Sequence, residues 1–431
     1  MELTGPAPAL AGPVQARPLA AGPTLAGTAL TLIHRGQAPT RSALTSALGV
    51  TRGTTGALVG ELRALGLIVV DSGPGGGQAA GQQGRPSHRL LPDGGGPVAL
   101  AAQVHPDGFE VALVGLGGTV AARLVRDVPV PADPARALAP VAEAGAALLG
   151  DSGRRCVGAA VAVPAAVSAP GGTAVRAFYA GWPTGAPVRD IFAAQLARHG
   201  VAGPPGGAVG GPGGCAAVND VNAIALAEHR HGAGRGASHL LVVAAEHRGV
   251  GGALVLRGAL YTGSSGLAME AGHVSVDRDG RPCVCGNRGC LNVEADAERF
   301  LGLAGLVPAG GEPVLPQAVA ALRAGYGSDP RVRAAADTIA ARLGLGLAGL
   351  INVANPDLVL LGGLHGHLLA AAPAQLRAAV AAGSPWGSGA AIPIEACALE
   401  HAALVGAAEV AWQPVLDDPA LLHTALARYH T

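Results

Sequence analysis

The chain has 431 residues, 49% hydrophobic and 13% charged, which excludes a disordered polymer and allows two or three domains with ample core. Its 68 Gly and 33 Pro are numerous, but all 29 basic residues are Arg and none is Lys, a bias of a GC-rich genome rather than of a low-complexity chain. Net charge is zero, yet residues 1–90 hold seven Arg against Glu2, Glu61 and Asp71, a surplus that an acidic remainder balances. A basic head on an acidic body points to nucleic acid at one end. The opening "MELTGPAPALAGPVQARPLAAGP" has no basic stretch followed by an apolar one, and the apolar runs are broken by Gly, Ala and Pro. A cytoplasmic protein that does not enter a membrane is expected.

In chain order, a Pro/Gly-rich leader (1–23) is expected to be mobile. Leu25, Ala29, Leu32 and Ile33 recur at helical spacing, and Gly36 ends that first helix. Thr40 is placed to cap a second helix running to Leu48, with Gly49 at the turn. Thr51 caps a third, whose Leu58, Leu62 and Leu65 face a core. The opposite face of the third helix offers Arg52, Thr54 and Thr55 near its N-terminus, where a recognition helix meets base edges. "LIVVDSG" and "GRPSHRLLP" bracket a Gly/Gln segment (73–84) as a two-stranded wing, with Arg85 and Arg89 placed for phosphates or the minor groove. Residues 24–90 therefore read as a winged helix-turn-helix that binds a double-stranded DNA operator through Thr51, Arg52, Thr54, Thr55 and Arg85. The competing reading is a helical dimerisation module with incidental arginines.

Farther along, "HVSVDRDGRPCVCGNRGC" (273–290) gathers three of the six cysteines with a histidine. In a chain without a secretory signal, such a cluster binds metal more often than it forms disulfides. His273, Cys283, Cys285 and Cys290 suit tetrahedral zinc, and four protein ligands leave no open position, so the expected Zn2+ is structural. Unliganded, redox-sensitive thiols are the alternative. Cys156, Cys215 and Cys397 lie among apolar residues and are expected to fill core space.

From residue 98 onward the chain resembles the ROK family of repressors, uncharacterised reading frames and sugar kinases, and the head resembles that family's regulator branch. The motifs are "EAGHVSVDRDGRPCVCGNRGC", "VNDVNAIALAEH" (218–229), "RGVGGALVLRGALYTGSSG" (248–266) and "INVANPDLVLLGG" (351–363). The resemblance implies that residues 98–431 form an α/β, two-lobed, actin-like (ribonuclease H-like) ATPase-type fold with a sugar in the cleft. It places Asp220 at the position of the kinases' catalytic base, with Asn219, Glu270 and His273 on sugar hydroxyls. His273 would then join zinc and sugar through its two ring nitrogens. A carboxylate favoured by a helix N-terminus is the plainer account of Asp220.

Two departures from the kinases stand out. Gln103 occupies the Asp position of the first phosphate loop, and "VHPDG" replaces its glycines; Pro106 also removes an N–H donor. A Gly-Gly-Thr at 117–119 falls after the second strand, where an ordinary turn serves as well. Asn292 stands where the family places a sugar-binding Glu, and Glu294 is a poorly aimed substitute. The expectation is a sugar-responsive repressor of carbohydrate genes, a homodimer or homotetramer whose effector is a small sugar or sugar phosphate. Catalysis is not expected. The alternatives are an ATP-dependent sugar kinase, and a regulator controlled by protein contact with a vestigial sugar site.

Overall fold

Three threonines start the three N-terminal helices of the computed structural model, which describes residues 22–71, 88–169, 171–201, 214–306, 313–385 and 392–422. Thr24, Thr40 and Thr51 accept hydrogen bonds from Gly27, Ala43 and Thr54 N–H, satisfying donors otherwise left open in α1 (Leu25–His34), α2 (Arg41–Leu48) and α3 (Arg52–Ala64). Gly49, with φ of 65°, ends α2 in the left-handed region that a tight turn requires. Strands β1 (Ile68–Asp71) and β2 (Arg89–Pro92) pair antiparallel, so the strand pair runs two residues past the boundary drawn at 90. Leu25, counted on the buried stripe of α1, is 44% exposed at its first turn. The leader up to residue 21, the tip of the strand pair and Arg85 lie outside the described residues.

The first lobe is a mixed sheet of β3 (Val98–His105), β4 (Gly108–Val114) and β5 (Val120–Arg126), then, beyond α4 (Pro134–Ser152), β6 (Cys156–Val163). A small hairpin, β7 (Ala166–Val167) and β8 (Ala174–Arg176), and α5 (Val188–Arg198) precede the last strand, β9 (Cys215–Asn219). The order is β5-β4-β3-β6-β9, antiparallel among the first three and parallel across the rest. Strand β9 passes directly into α6 (Asp220–His231), with Asn219 serving as both strand end and helix cap.

The second lobe repeats this plan with β10 (His239–Ala245), β11 (Gly251–Leu256), β12 (Ala259–Leu260), β13 (Leu358–Gly363) and β14 (Ile394–Ala396), in the order β12-β11-β10-β13-β14. Helices α7 (Leu291–Glu294), α8 (Ala297–Leu303), α9 (Val314–Gly325), α10 (Pro330–Ala354), α11 (Leu364–Ala371) and α12 (Pro373–Gly383) build its outer layer. Among the described residues α10 is long and apolar enough to cross a membrane, but 56% of its apolar window is buried in the protein. Helix α13 (Ala402–Asp417) returns to the first lobe.

Through that return the head and the body share a core. Leu30, Leu44 and Leu62 of the head, Ala99 and Val114 of the first sheet, and Leu404, Trp412 and Leu416 of α13 form one apolar core. Trp412 Nε1 donates to Val114 O at 3.0 Å, and Thr24 N donates to Asp417 O at 2.9 Å. Gly27 is required where it stands, because a Cβ there would lie 2.2 Å from Asp417 O.

Candidate ligand cleft and metal centre

The end of β9 and the start of α6 put Asn219 and Asp220 into a cleft between the lobes, facing Glu246, Glu270, His273 and Asn292. Asn219 holds the corner: Oδ1 accepts from Asn222 N at 3.0 Å, while Nδ2 donates to Ala165 O at 3.1 Å and Asp220 Oδ1 at 3.0 Å. Burial, with a smaller push from Glu270, raises the Asp220 carboxyl to about 7 against the hydrogen bonds from Val221 N–H and Asn219. Glu246 rises to about 7 through burial and then Asp220, and burial alone raises Glu270. Three carboxyl groups thus share one desolvated wall. Arg176 and Arg248 line the same cleft, so a ligand meets guanidinium groups as well as carboxyls there.

Glu246 was not singled out from the sequence, although it directly follows the buried run "LLVVAA" of β10, where a strand ends at the cleft. Tyr179 and Phe178 were missed as well. Phe178 meets the His273 ring edge to face, with centroids 5.9 Å apart, and Tyr179 accepts a hydrogen bond from Asn292 Nδ2. Asn292 is 3% exposed, and its Oδ1 accepts from Val250 N at 2.9 Å. Its amide is therefore engaged with the protein at both ends, and as arranged it holds the wall rather than reaching toward a ligand. Glu294 accepts from Arg281 N at 2.7 Å and closes the cysteine loop instead of entering the cleft.

Behind the cleft, the ligand atoms of His273, Cys283, Cys285 and Cys290 all lie within 4.8 Å of one another. His273 Nδ1 is 3.6 Å from Cys283 Sγ, and Cys285 Sγ is 3.7 Å from Cys290 Sγ. Bonds of about 2.1 Å to nitrogen and 2.3 Å to sulfur give tetrahedral edges of roughly 3.6–3.8 Å, so the cluster fits a metal of zinc's size and preference. Gly289 is held at φ 61°, and a Cβ there would lie 1.6 Å from Asp277 O, so the loop closes only over glycine. With Nδ1 turned to the thiols, the same ring stands on the cleft wall.

A second cavity of about 450 Å³ adjoins the first, lined by Gln103, Glu110, Glu246, His247, Gly362 and Gly363. Here the β3–β4 hairpin, where the kinases carry their first phosphate loop, meets the β10–β11 hairpin through imidazoles: His105 stacks on His247 with centroids 3.7 Å apart and planes 4° from parallel. Burial lowers His105 and pushes His247 down to about 3, so neither ring carries charge at neutral pH. The Gly-Gly-Thr at 117–119 lies elsewhere; Gly117 N donates to His34 of the head.

On the head, Arg52 is exposed at the start of α3 and Thr54 is half-buried, its hydroxyl 2.9 Å from that of Thr51. Thr55 overturns its expectation. It is 1% exposed, receives a hydrogen bond from Thr45 Oγ1 at 2.9 Å and donates to Thr51 O at 3.2 Å, so it braces α2 against α3 and cannot reach a base.

Residues 212–413 match the family profile described as "ROK family". A glucokinase of Thermotoga maritima is 36% identical over 155 residues, 34% of this chain and 49% of that protein. The DNA-binding transcriptional repressor Mlc of Escherichia coli is 33% identical over 153 residues, 33% of this chain and 36% of that protein. The chain thus spans less than half the length of these curated relatives. Among solved structures, a ROK family transcriptional regulator, a homolog of the E. coli Mlc protein, superposes with a TM-score of 0.69 at 21% identity. That superposition covers 93% of this chain and 98% of the other, which shows a common fold.

Proposed function

Because residues 212–413 form a ROK family domain, we propose that this chain is a sugar-responsive, DNA-binding transcriptional regulator, a repressor of carbohydrate genes. The observation that carries the reading is the fold shared with a ROK regulator over 93% of the chain, more than residues 98–431 alone could supply. Three capped helices and a strand pair that ends at Pro92 support reading the head as a winged helix-turn-helix. Arg52 and Thr54 read base edges at the start of α3, Thr51 fixes that start, and Arg85 with Arg89 approaches the backbone. Two copies in a dimer or tetramer supply the two half-sites of an operator. The protein works in the cytoplasm.

Sugar or sugar phosphate binds between the lobes. Asp220 and Glu270 accept hydroxyl hydrogen bonds, His273 uses the ring nitrogen turned away from the thiols, and Asn219 and Asn292 hold the wall. His273, Cys283, Cys285 and Cys290 would hold a Zn2+, which would serve as a structural anchor with no ligand position left for chemistry. The His273 ring would then be fixed ahead of ligand binding, leaving less ordering to be done.

One observation favours the kinase alternative. A buried carboxyl near pH 7 at Asp220 is poised as a general base. Base catalysis alone transfers no phosphoryl group, however, and the stacked His105 and His247 offer no row of N–H donors for phosphate. Titrating duplex DNA selected from a random pool, with and without sugar, decides the matter. Failure to bind DNA ends the regulator reading.

A further inference from the structure

Helix α6 has a ligand end and a head end. Asn219 and Asp220 stand in the cleft at its N-terminus, and Arg230 and His231 stand at its C-terminus, about 16 Å away at ~1.5 Å per residue. Its flanks pack through Ala223 into the core shared with the head and through Ile224 and Ala227 into the core of the second lobe. It therefore lies where a change in the cleft between the lobes must be felt.

At the far end everything converges on Glu409 of α13, which is fully buried. Its Oε1 accepts from His34 Nε2 at 2.9 Å and from His231 Nε2 at 2.8 Å, and its Oε2 accepts from Arg230 Nη1 at 2.6 Å. His34 belongs to α1 and lies against β4 and β5 through Gly117, whose N–H donates to His34 Nδ1 at 2.9 Å. That bond fixes the tautomer: Nδ1 is the acceptor, so the proton sits on Nε2 and points at Glu409. It also argues against a metal here, although His34, His231 and Glu409 are close enough to hold one. Metal on Nε2 would turn Nδ1 into a donor facing another donor. Burial lowers His34 against the pull of Glu409; burial pushes Glu409 upward, but the Arg230 guanidinium and the hydrogen bonds from His231 and His34 hold it a carboxylate. A second tie lies nearby, where Arg235 Nη2 donates to Arg35 O at 3.0 Å.

We infer that Glu409 is a positioning residue for the head, passing the position of α6, set at Asp220 by ligand, to α1 through His231 and His34. This rests on the regulator reading proposed above. Glu409 is fully buried and its bonds to His34, His231 and Arg230 are 2.6–2.9 Å long, so a shift of about 1 Å at His231 exceeds what they can stretch to accommodate. It breaks a hydrogen bond to a buried carboxylate, and the relation of α1 to the body changes in a discrete step. Leu30 of α1, Leu44 of α2 and Leu62 of α3 lie in one core that also holds Leu404 and Trp412 of α13, so a change at the contact of α1 with α13 is carried to α3.

The experiment uses the full-length chain, a duplex selected from a random pool, and whichever of D-glucose, D-xylose and N-acetyl-D-glucosamine raises the melting temperature most. The ratio of DNA Kd with and without that sugar measures coupling, expected at roughly 5–150-fold in wild type. His231→Gln should bring the ratio to within about twofold of one, while sugar Kd and sugar-free DNA Kd stay within about threefold of wild type. Glu409→Gln should do the same, and if it fails to fold, His231→Gln carries the test. A variant that melts lower yet keeps the wild-type ratio has lost a merely structural bond, and the inference falls. It falls too if wild type binds both sugar and DNA with a ratio of one. If no sugar raises the melting temperature and no DNA binds, the regulator reading fails and takes the inference with it.

Discussion

His105 and His247 stack face to face across the gap between the two hairpins that a kinase of this fold would use to hold phosphate. Phosphate needs converging N–H donors or cations; burial keeps both rings uncharged, so the stacked pair supplies no cation and one N–H from each ring at most. Glu110 and Glu246 line the adjoining cavity and add carboxyl groups where an anion would have to sit. A coupled assay over hexoses, pentoses and amino sugars with ATP should therefore stay at background. Turnover that disappears in Asp220→Asn would restore the kinase alternative.

The thiol cluster leads to a metal prediction. Protein purified without added metal should carry zinc at the His273 site, and Cys285→Ser should lower zinc affinity at least tenfold. Melting temperature and sugar affinity should fall together in that variant, because the ion fixes the ring that contacts ligand. Chelation of wild type should reproduce both losses, and zinc should reverse them. A fully folded, sugar-binding protein without zinc would contradict the assignment.

Asp220 and Glu246 give the unliganded protein a pH dependence with a definite sign. Both carboxyls stand at about 7 in the folded protein, above the ~4 of an unfolded chain, so between those values the folded state holds protons that the unfolded state has lost. Stability contributed by these groups is fully present below pH ~4, falls as pH rises, and is gone above about 7. Asp220→Asn should flatten that slope and raise the melting temperature at pH 8. Sugar affinity should run the other way and rise from pH 6 to pH 8, since hydroxyl groups bind better to the carboxylate. Calorimetric titration at both values checks the sign.

Legibility followed the range of each interaction. Thr40 and Thr51 were readable as caps because capping is a matter of three residues, and the cysteine cluster because its ligands lie within eighteen. Thr55 was misread although the information was present: it precedes Leu58 and Leu62 by three and seven residues, on the stripe that faces the core. Glu409 was not readable at all. Nothing in "VGAAEVAWQ" says that its partners are His34, 375 residues earlier, and Arg230, 179 residues earlier. Glu246 falls between these cases, since a strand end can be read but the cleft that receives it cannot.

Thr55 and Arg52, three positions apart on α3, should give opposite results in DNA binding. Arg52 is exposed at the first helical position, so Arg52→Ala removes a side chain free to meet a base edge. If that contact is bidentate to guanine, the loss should be about 1–3 kcal/mol and should relax preference at one base of each half-site. Arg85→Ala should instead weaken binding evenly across sequences and reduce the slope against salt, as loss of a phosphate contact does. Thr55→Val keeps shape but removes a buried hydroxyl that bridges Thr45 and Thr51 O. Thr45 keeps its bond to Arg41 O at 2.8 Å, so the change should cost about 1 kcal/mol of stability through the lost bridge between α2 and α3, and leave the order of preferred bases unchanged. Selection from a random duplex pool separates the three variants. A Thr55→Val protein of native stability with altered base preference would return Thr55 to the DNA face and overturn the packing described for α2 and α3.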